Sequence, residues 1–163
     1  MFRDMRRKKQ LLSKDESEEI LRRGTSGVLA LAGDEGFPYA VPLSYVYERE
    51  KIYFHSAVSG HKIDAVRKSE KASFCVIGQD HVLPEKFTTR YKSVIAFGTV
   101  RILEDGQEIR RAMERLSDKY SPGDREARDR EIEKDWERLC MIEFSVTYLT
   151  GKQGIEYINN HVD

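Results

Sequence analysis

Cysteine, proline and tryptophan are all scarce in this chain: two, four and one respectively among 163 residues. Two cysteines cannot make the dense bridge framework of small secreted domains, nor the paired Cys-x-x-Cys clusters of structural zinc sites. Cys75 and Cys140 each lie in an apolar, strand-like run, so both are expected to be buried thiols in a reducing cytoplasm. No apolar run approaches the roughly 20 residues that span a bilayer as a helix, and no apolar stretch follows the basic N-terminus as it would in a secretory signal. Net charge is absent too. Lys plus Arg and Asp plus Glu number 28 each, so no global field draws the protein to nucleic acid or to an anionic membrane. The local exception is an N-terminal arm, residues 1–12, where Arg3, Arg6, Arg7, Lys8 and Lys9 outweigh Asp4; a solvated arm is the expectation. There is no internal repeat, no low-complexity segment and no Gly-x-Gly-x-x-Gly turn for a nicotinamide dinucleotide.

What is present is a succession of short strands with a few helices between them. Ser13 with Glu16 forms a capping-box pattern and Gly24 a C-terminal stop, bounding a helix with Ile20 and Leu21 on its apolar side. Residues 27–32 read as a buried strand, Asp34-Glu35-Gly36 as a hairpin loop, and 37–47 as one long strand. That strand alternates, with Tyr39, Val41, Leu43, Tyr45 and Tyr47 on one side. Pro42 cannot donate to a ladder, which puts it at a sheet edge or at an opening. Residues 48–50 turn into a third strand, 51–55, and a helix follows from Ser59-Gly60 to about residue 68, with Ile63 and Val66 inward.

Strands are expected at 71–77, 93–103 and 139–149, and the last presents Cys140, Ile142, Phe144, Val146 and Tyr148 on one face. Residues 79–91 show little periodicity and read as irregular. Helical spacing covers 105–120, Ser121-Pro122-Gly123 breaks it, and a highly charged helix spans 124–138 with only Ala127, Ile132 and Trp136 apolar. Twelve acids and nine bases between 104 and 138 make this a largely solvated surface. The count is six strands, which implies a mainly β fold with peripheral helices: a six-stranded antiparallel split or closed barrel occupying residues 13–152, with 153–163 as a tail.

Chemistry concentrates between residues 41 and 62. A strand ending in His55 and Ser56 runs into a helix that opens Ser59-Gly60-His61-Lys62. A helix start offers unpaired N–H groups and partial positive charge, and Lys62 with the hydroxyls of Ser56 and Ser59 adds donors for an anion. Opened at Pro42, the strand exposes main-chain groups to which a flat heteroaromatic edge can pair. A bare capping role for the Ser-Gly start remains open on these residues alone. A zinc set of His55, His61 and Cys75 has no recognised spacing. His55 and Ser56 cannot act as base and nucleophile on one substrate, because neighbouring strand residues face opposite ways.

Taken in order, PYAVPLSYVYEREKIYFHSAVSGHKIDAVRKS and YKSVIAFGTV resemble the FMN-binding split-barrel superfamily related to pyridoxamine 5′-phosphate oxidase, nearest its nitroimidazole-resistance branch. The resemblance implies FMN as cofactor, with the backbone of Val41, Pro42, Leu43 and Ser44 at the isoalloxazine edge. It places His55, Ser56, Gly60, His61 and Lys62 around the phosphate, and Tyr91 and Ser93 on a second flavin-contacting strand from a partner subunit or across the barrel. Gly151-Lys152 resembles the family's strand ending at the dimer cleft. A homodimer follows, with a small-molecule substrate and NAD(P)H as visiting partners, and an FMN-dependent oxidoreductase as the activity. No C-terminal Arg/His substrate element is found, which argues against vitamin B6 oxidation. A non-catalytic flavin binder or sensor, or a haem-binding relative on the same scaffold, are the alternatives.

Overall fold

The computed structural model describes residues 1–159. Its strands are β1 (Ser26–Ala32), β2 (Pro38–Ser44), β3 (Val46–Glu48), β4 (Lys51–Ser56), β5 (Lys71–Leu83), β6 (Thr88–Ile102) and β7 (Cys140–Gln153). Its helices are α1 (Lys14–Arg23), α2 (His61–Lys68), α3 (Gly106–Tyr120), α4 (Arg125–Asp135) and α5 (Glu156–Asn159). All seven strands form one antiparallel sheet in the order β2-β1-β5-β6-β7-β4-β3. The expected capping box is made: the Ser13 hydroxyl accepts from the Glu16 N–H at 3.2 Å, and the Glu16 carboxylate accepts from the Ser13 N–H at 2.9 Å.

There are seven strands rather than six because the expected strand 37–47 changes ladders at Tyr45. Before it, β2 pairs with β1; after it, β3 pairs with β4. The main-chain groups of Tyr45 leave the ladder for α3. Its N–H donates to the Tyr120 hydroxyl at 3.0 Å, and its carbonyl accepts from Lys119 Nζ at 3.1 Å. The two edges of the sheet are thus consecutive in the chain. The sheet curls on itself without closing its hydrogen bonding, a split-barrel-like arrangement. The β3–β4 turn has only Arg49 and Glu50, at φ 48° and 63°, the left-handed values that a two-residue hairpin of primed type demands.

Two further expectations are corrected. Residues 79–91 are not irregular: β5 and β6 run on as a projecting hairpin to a tip at Pro84–Lys86. Beyond a register shift around Gly78, residues 77–82 are exposed on both faces. No period-two pattern survives where neither face is buried. The last strand continues past residue 149 to Gln153 and carries a bulge: Gly98 pairs with Val146, but Phe97 pairs with Tyr148. One extra residue reverses which side faces in. Leu149 therefore packs on the core while Tyr148 turns outward, stacked on Phe2 with ring centroids 4.7 Å apart. Gly98 is required at this bulge, since a Cβ there would sit 1.9 Å from the Ser145 carbonyl oxygen.

Inside the curled sheet, Tyr45, Phe54 and Phe74 meet edge to face, with centroids 4.8 and 5.0 Å apart, among Leu29, Ile52, Val76 and Phe144. A smaller core lies outside, where α3 sets Ala112, Ile109 and Leu116 against Tyr53 and Met141 of β4 and β7. Within the N-terminal arm Leu12 is buried, and its N–H donates to the Gly151 carbonyl at 3.0 Å. Cys140 is buried and Cys75 half-buried, both as free thiols. Residues 160–163 of the expected tail lie outside the described residues.

Candidate functional site

Strand β4 is buried on both faces through Ile52, Tyr53 and Phe54 and alternates only at its end. Phe54 and Ser56 point into the core, and His55 points out. The chain then turns through Gly60, whose φ of 118° is a glycine conformation, with nothing within 4 Å of where a Cβ would stand. No side chain caps the N-terminus of α2. The first-turn N–H groups therefore remain available to a ligand.

Lys62 lies in that first turn, half-buried, and among the described residues no carboxylate pairs with it. Burial pushes its ammonium below the ordinary lysine value. The imidazole of His55 is pushed down as well, first by burial and then by the charge of Lys62, against an opposing pull from Asp135. Cys140, in register with Ser56, has its thiol raised by burial, while Arg67 and Lys62 oppose that rise. One end of the molecule thus gathers Lys62, His55, Arg67 and the α2 N-terminus. Arg67 pairs with Asp64 at 4.0 Å, which leaves Lys62 and the helix start as the positive potential that an anion would neutralise.

His61 is differently engaged. Its ring stacks on Tyr39 at 4.0 Å, and Nε2 lies 3.5 Å from the Asp34 carboxylate. It bolts α2 to the β1–β2 hairpin and so holds the edge strand beside the helix start. That edge strand is β2, one of the two places Pro42 allowed: among the described residues β1 pairs with one side of it and no strand with the other. Val41 and Leu43 pack toward the core, whereas Pro42 and Ser44 face out. Ser44 and His55 line one cleft of about 680 Å³, roofed by α3 and α4.

Tyr91 and Ser93 are elsewhere in the chain. Ser93 pairs with Lys152 near the end of β7, whereas Ser56 pairs with Cys140 at its start. About 40 Å of strand separates those two positions at ~3.3 Å per residue. Within one chain, then, these two residues do not join the others. They sit at one end of the sheet's outer face, where Pro42, Val28, Cys75, Ile95 and Thr150 form a continuous row across β2, β1, β5, β6 and β7. Beside that row Ile77 is 67% exposed.

Cys140 and Asp135 escape a reading of the sequence, because pairing of β4 with β7 and the return of α4 bring them in from distant positions, whereas Arg67 follows Lys62 on α2 itself. The thin apolar content of 124–138 was the one visible sign that α4 would leave a gap beneath it.

The sequence pattern of the pyridoxamine 5′-phosphate oxidase family matches residues 13–153. No curated protein matches the chain. Among solved structures, a proposed 5-nitroimidazole antibiotic resistance protein from Bacteroides thetaiotaomicron superposes with a TM-score of 0.76 at 22% identity, over 88% of this chain and 86% of its own. A FAD-binding protein from Mesorhizobium loti gives 0.62 at 26%, over 89% and 97%. A FAD and heme binding protein from Mycobacterium smegmatis gives 0.74 at 20%, over 90% and 73%.

Proposed function

From the premise that the chain belongs to the pyridoxamine 5′-phosphate oxidase family, we propose that it binds a flavin, FMN in particular, as a homodimer that passes electrons to small organic acceptors. The observation that carries this reading is Lys62: a half-buried ammonium with no carboxylate partner among the described residues, placed in the first turn of an uncapped helix. A phosphate there would accept from the α2 N–H groups and from Lys62, reversing the cost of burying that charge. The free side of β2 from Val41 to Ser44 supplies main-chain donors and acceptors for the edge of a flat ring system. A bound flavin supplies hydride and electron transfer itself, and the protein's task is to hold, orient and shield it.

The absence of an acid–base dyad among these residues is compatible with that division of labour. His55 stays neutral near pH 7, its pKa being depressed, and lies open to the cleft as a hydrogen-bonding group rather than as a second cation. The dimer rests on the outer sheet face. Val28, Ile77 and Ile95 are exposed there along the same side as Ser93 and Ser44, so a second copy on that face would cover apolar surface. It would also bring Tyr91 and Ser93 of one subunit toward the α2 turn of the other, which the single chain keeps apart.

The deciding experiment is the absorption spectrum of the purified protein and of its heat-released ligand. A band near ~450 nm from released FMN supports the reading, since oxidised flavins absorb there. A haem spectrum, or a colourless protein that takes up no FMN on titration, overturns it. For turnover, NADH or NADPH mixed anaerobically with the loaded protein should bleach that band, and a nitroaromatic or quinone should restore it. A flavin that neither nucleotide reduces within minutes assigns the protein to binding or sensing.

A further inference from the structure

The basic arm at the N-terminus lies against the sheet. Past Ser145, β4 no longer pairs with β7, although β6 accompanies β7 on to Gln153. The arm runs beside that stretch and is held at both ends. At one end Phe2 stacks on Tyr148, within 7° of parallel, and tilts against Phe97 at 5.4 Å. At the other, Leu11 bridges to Lys152, the Leu12 N–H donates to the Gly151 carbonyl, and Gln10 and Leu12 are buried. Tyr148 and Lys152 are four residues apart on β7, so the run between the anchors is confined to about 13 Å of sheet at ~3.3 Å per residue.

That run carries Arg3, Arg6, Arg7, Lys8 and Lys9, all exposed, against Asp4 alone. Among the described residues none of the five has a carboxylate within 4.0 Å. The cations of α1 are by contrast each paired: Lys14 with Glu50, Arg22 with Glu18 and Glu19, and Arg23 with Glu19. Glu16 is engaged too, by Ser13. The chain as a whole is neutral, so the field of the arm is local and is screened beyond about 10 Å at 0.1 M salt. It acts on a partner that touches the arm. Phe2 lies flat on Tyr148 and Leu12 is buried. Met1 and Leu11, the exposed apolar residues that remain, stand at opposite ends of the run, so no amphipathic face forms for a bilayer.

We propose that the seated arm is a docking ridge for the phosphate backbone of a double-stranded nucleic acid, bound without regard to base sequence. Over about 13 Å of its axis a duplex presents roughly eight phosphates, at one charge per ~1.7 Å, enough for each of the five cations to meet one. Each of the three arginines can hold a phosphate through two parallel N–H donors. Because Phe2 and Leu12 already fix the arm, binding orders fewer side chains than it would on a loose tail. No residue of the α2 turn or of β2 takes part, so the ridge stands whether or not the chain holds a flavin.

The full chain is titrated into a fluorescein-labelled DNA duplex of mixed sequence, two helical turns long, and anisotropy is read across a salt series. Five phosphate contacts predict a slope of log K on log salt of about −4.5, at roughly −0.9 per contact. Arg3→Gln, Arg6→Gln, Arg7→Gln, Lys8→Gln and Lys9→Gln combined should flatten that slope and weaken binding by about a hundredfold or more at low salt. Arg111→Gln, Arg125→Gln, Arg130→Gln, Lys134→Gln and Arg138→Gln combined change the net charge equally, at exposed positions on and after α3 and α4, and should leave the slope as it is. Phe2→Ser keeps every charge but frees the arm, and should weaken binding by about three- to tenfold at the same slope. A parent that fails to bind the duplex, or binding that survives the arm substitutions, falls equally in the control or is unmoved by Phe2→Ser, would overturn the proposal. So would a protein that binds vesicles of phosphatidylcholine and phosphatidylserine in equal parts but not the duplex.

Discussion

Replacing Lys62 by methionine separates a binding lysine from a structural one, because the two roles predict opposite effects. The ammonium is half-buried without a carboxylate partner, and burial holds its pKa below the usual lysine value. A lysine depressed in the folded state is bound to its proton less firmly there than in the unfolded chain. The unfolded state therefore carries more protons as pH approaches the ordinary lysine range, and stability rises with pH through that alkaline window. Below the window the charged lysine is a net cost to the fold. Methionine keeps the aliphatic stem and removes the charge, so the ligand-free variant should melt no lower than the parent and should lose the alkaline rise in stability.

Binding should move the other way. A charge-assisted hydrogen bond contributes about 1.5–3 kcal/mol, so Lys62→Met should weaken FMN by about ten- to a hundredfold. Riboflavin, which lacks the phosphate, should bind parent and variant alike, and more weakly than FMN binds the parent. Fluorescence quenching of both flavins, together with thermal melts across pH, gives all the quantities. A variant that binds FMN as tightly as the parent would refute the phosphate site, and one that melts far lower without its ligand would make Lys62 a structural residue.

Other expectations follow from particular contacts. Light scattering should give about twice the 18.9 kDa chain mass. Ile77→Glu, which puts a charge on the exposed row of the outer sheet face, should return a monomer with weakened FMN binding; an unchanged dimer would move the interface elsewhere. Burial alone would raise the Glu143 carboxyl, but hydrogen bonds from Arg101 and Lys51 hold it below the ordinary glutamate value. Its contribution is therefore present above the unfolded pKa and is lost as pH falls through the lower folded one, so Glu143→Gln should flatten the acid limb of a stability–pH curve. Tyr120→Phe removes the hydroxyl that accepts from the Tyr45 N–H at the strand crossing, and should cost about 1–3 kcal/mol in chemical denaturation for the buried group left unpaired. Arg49→Asn with Glu50→Gly relieves two left-handed residues in the β3–β4 turn and should raise stability by about 1 kcal/mol, read as a higher melting temperature.

Local patterns decided much of this protein before any contact could be known. Ser13 and Glu16 satisfy each other three residues apart, so the start of α1 is written in adjacent positions. The alternation from Tyr39 to Tyr47 needs only a buried face and an exposed one. Pro42, lacking an N–H, restricts its strand to a sheet edge or an opening, and His55 and Ser56 face opposite sides because neighbouring strand residues do. The order from β4 through Gly60 to Lys62 places a cation at a helix start with no help from distant residues, although only the structure shows that no side chain caps that start.

What the tertiary structure decided are the features that depend on partners far along the chain. The strand from 37 to 47 divides at Tyr45 because Lys119 and Tyr120 of α3 take its main-chain groups, which no local pattern announces. The bulge opposite Gly98 turns Tyr148 outward by a one-residue slip in pairing, and the exposed hairpin beyond Gly78 has no buried face to give it a period. Tyr91 and Ser93 stand far from Lys62 within one chain because register along β7, not sequence order, sets distance across a sheet. The cleft exists for a similar reason. Its α4 residues are spread along the helix as an ordinary solvated pattern, and line a cleft only where α4 folds back over His55.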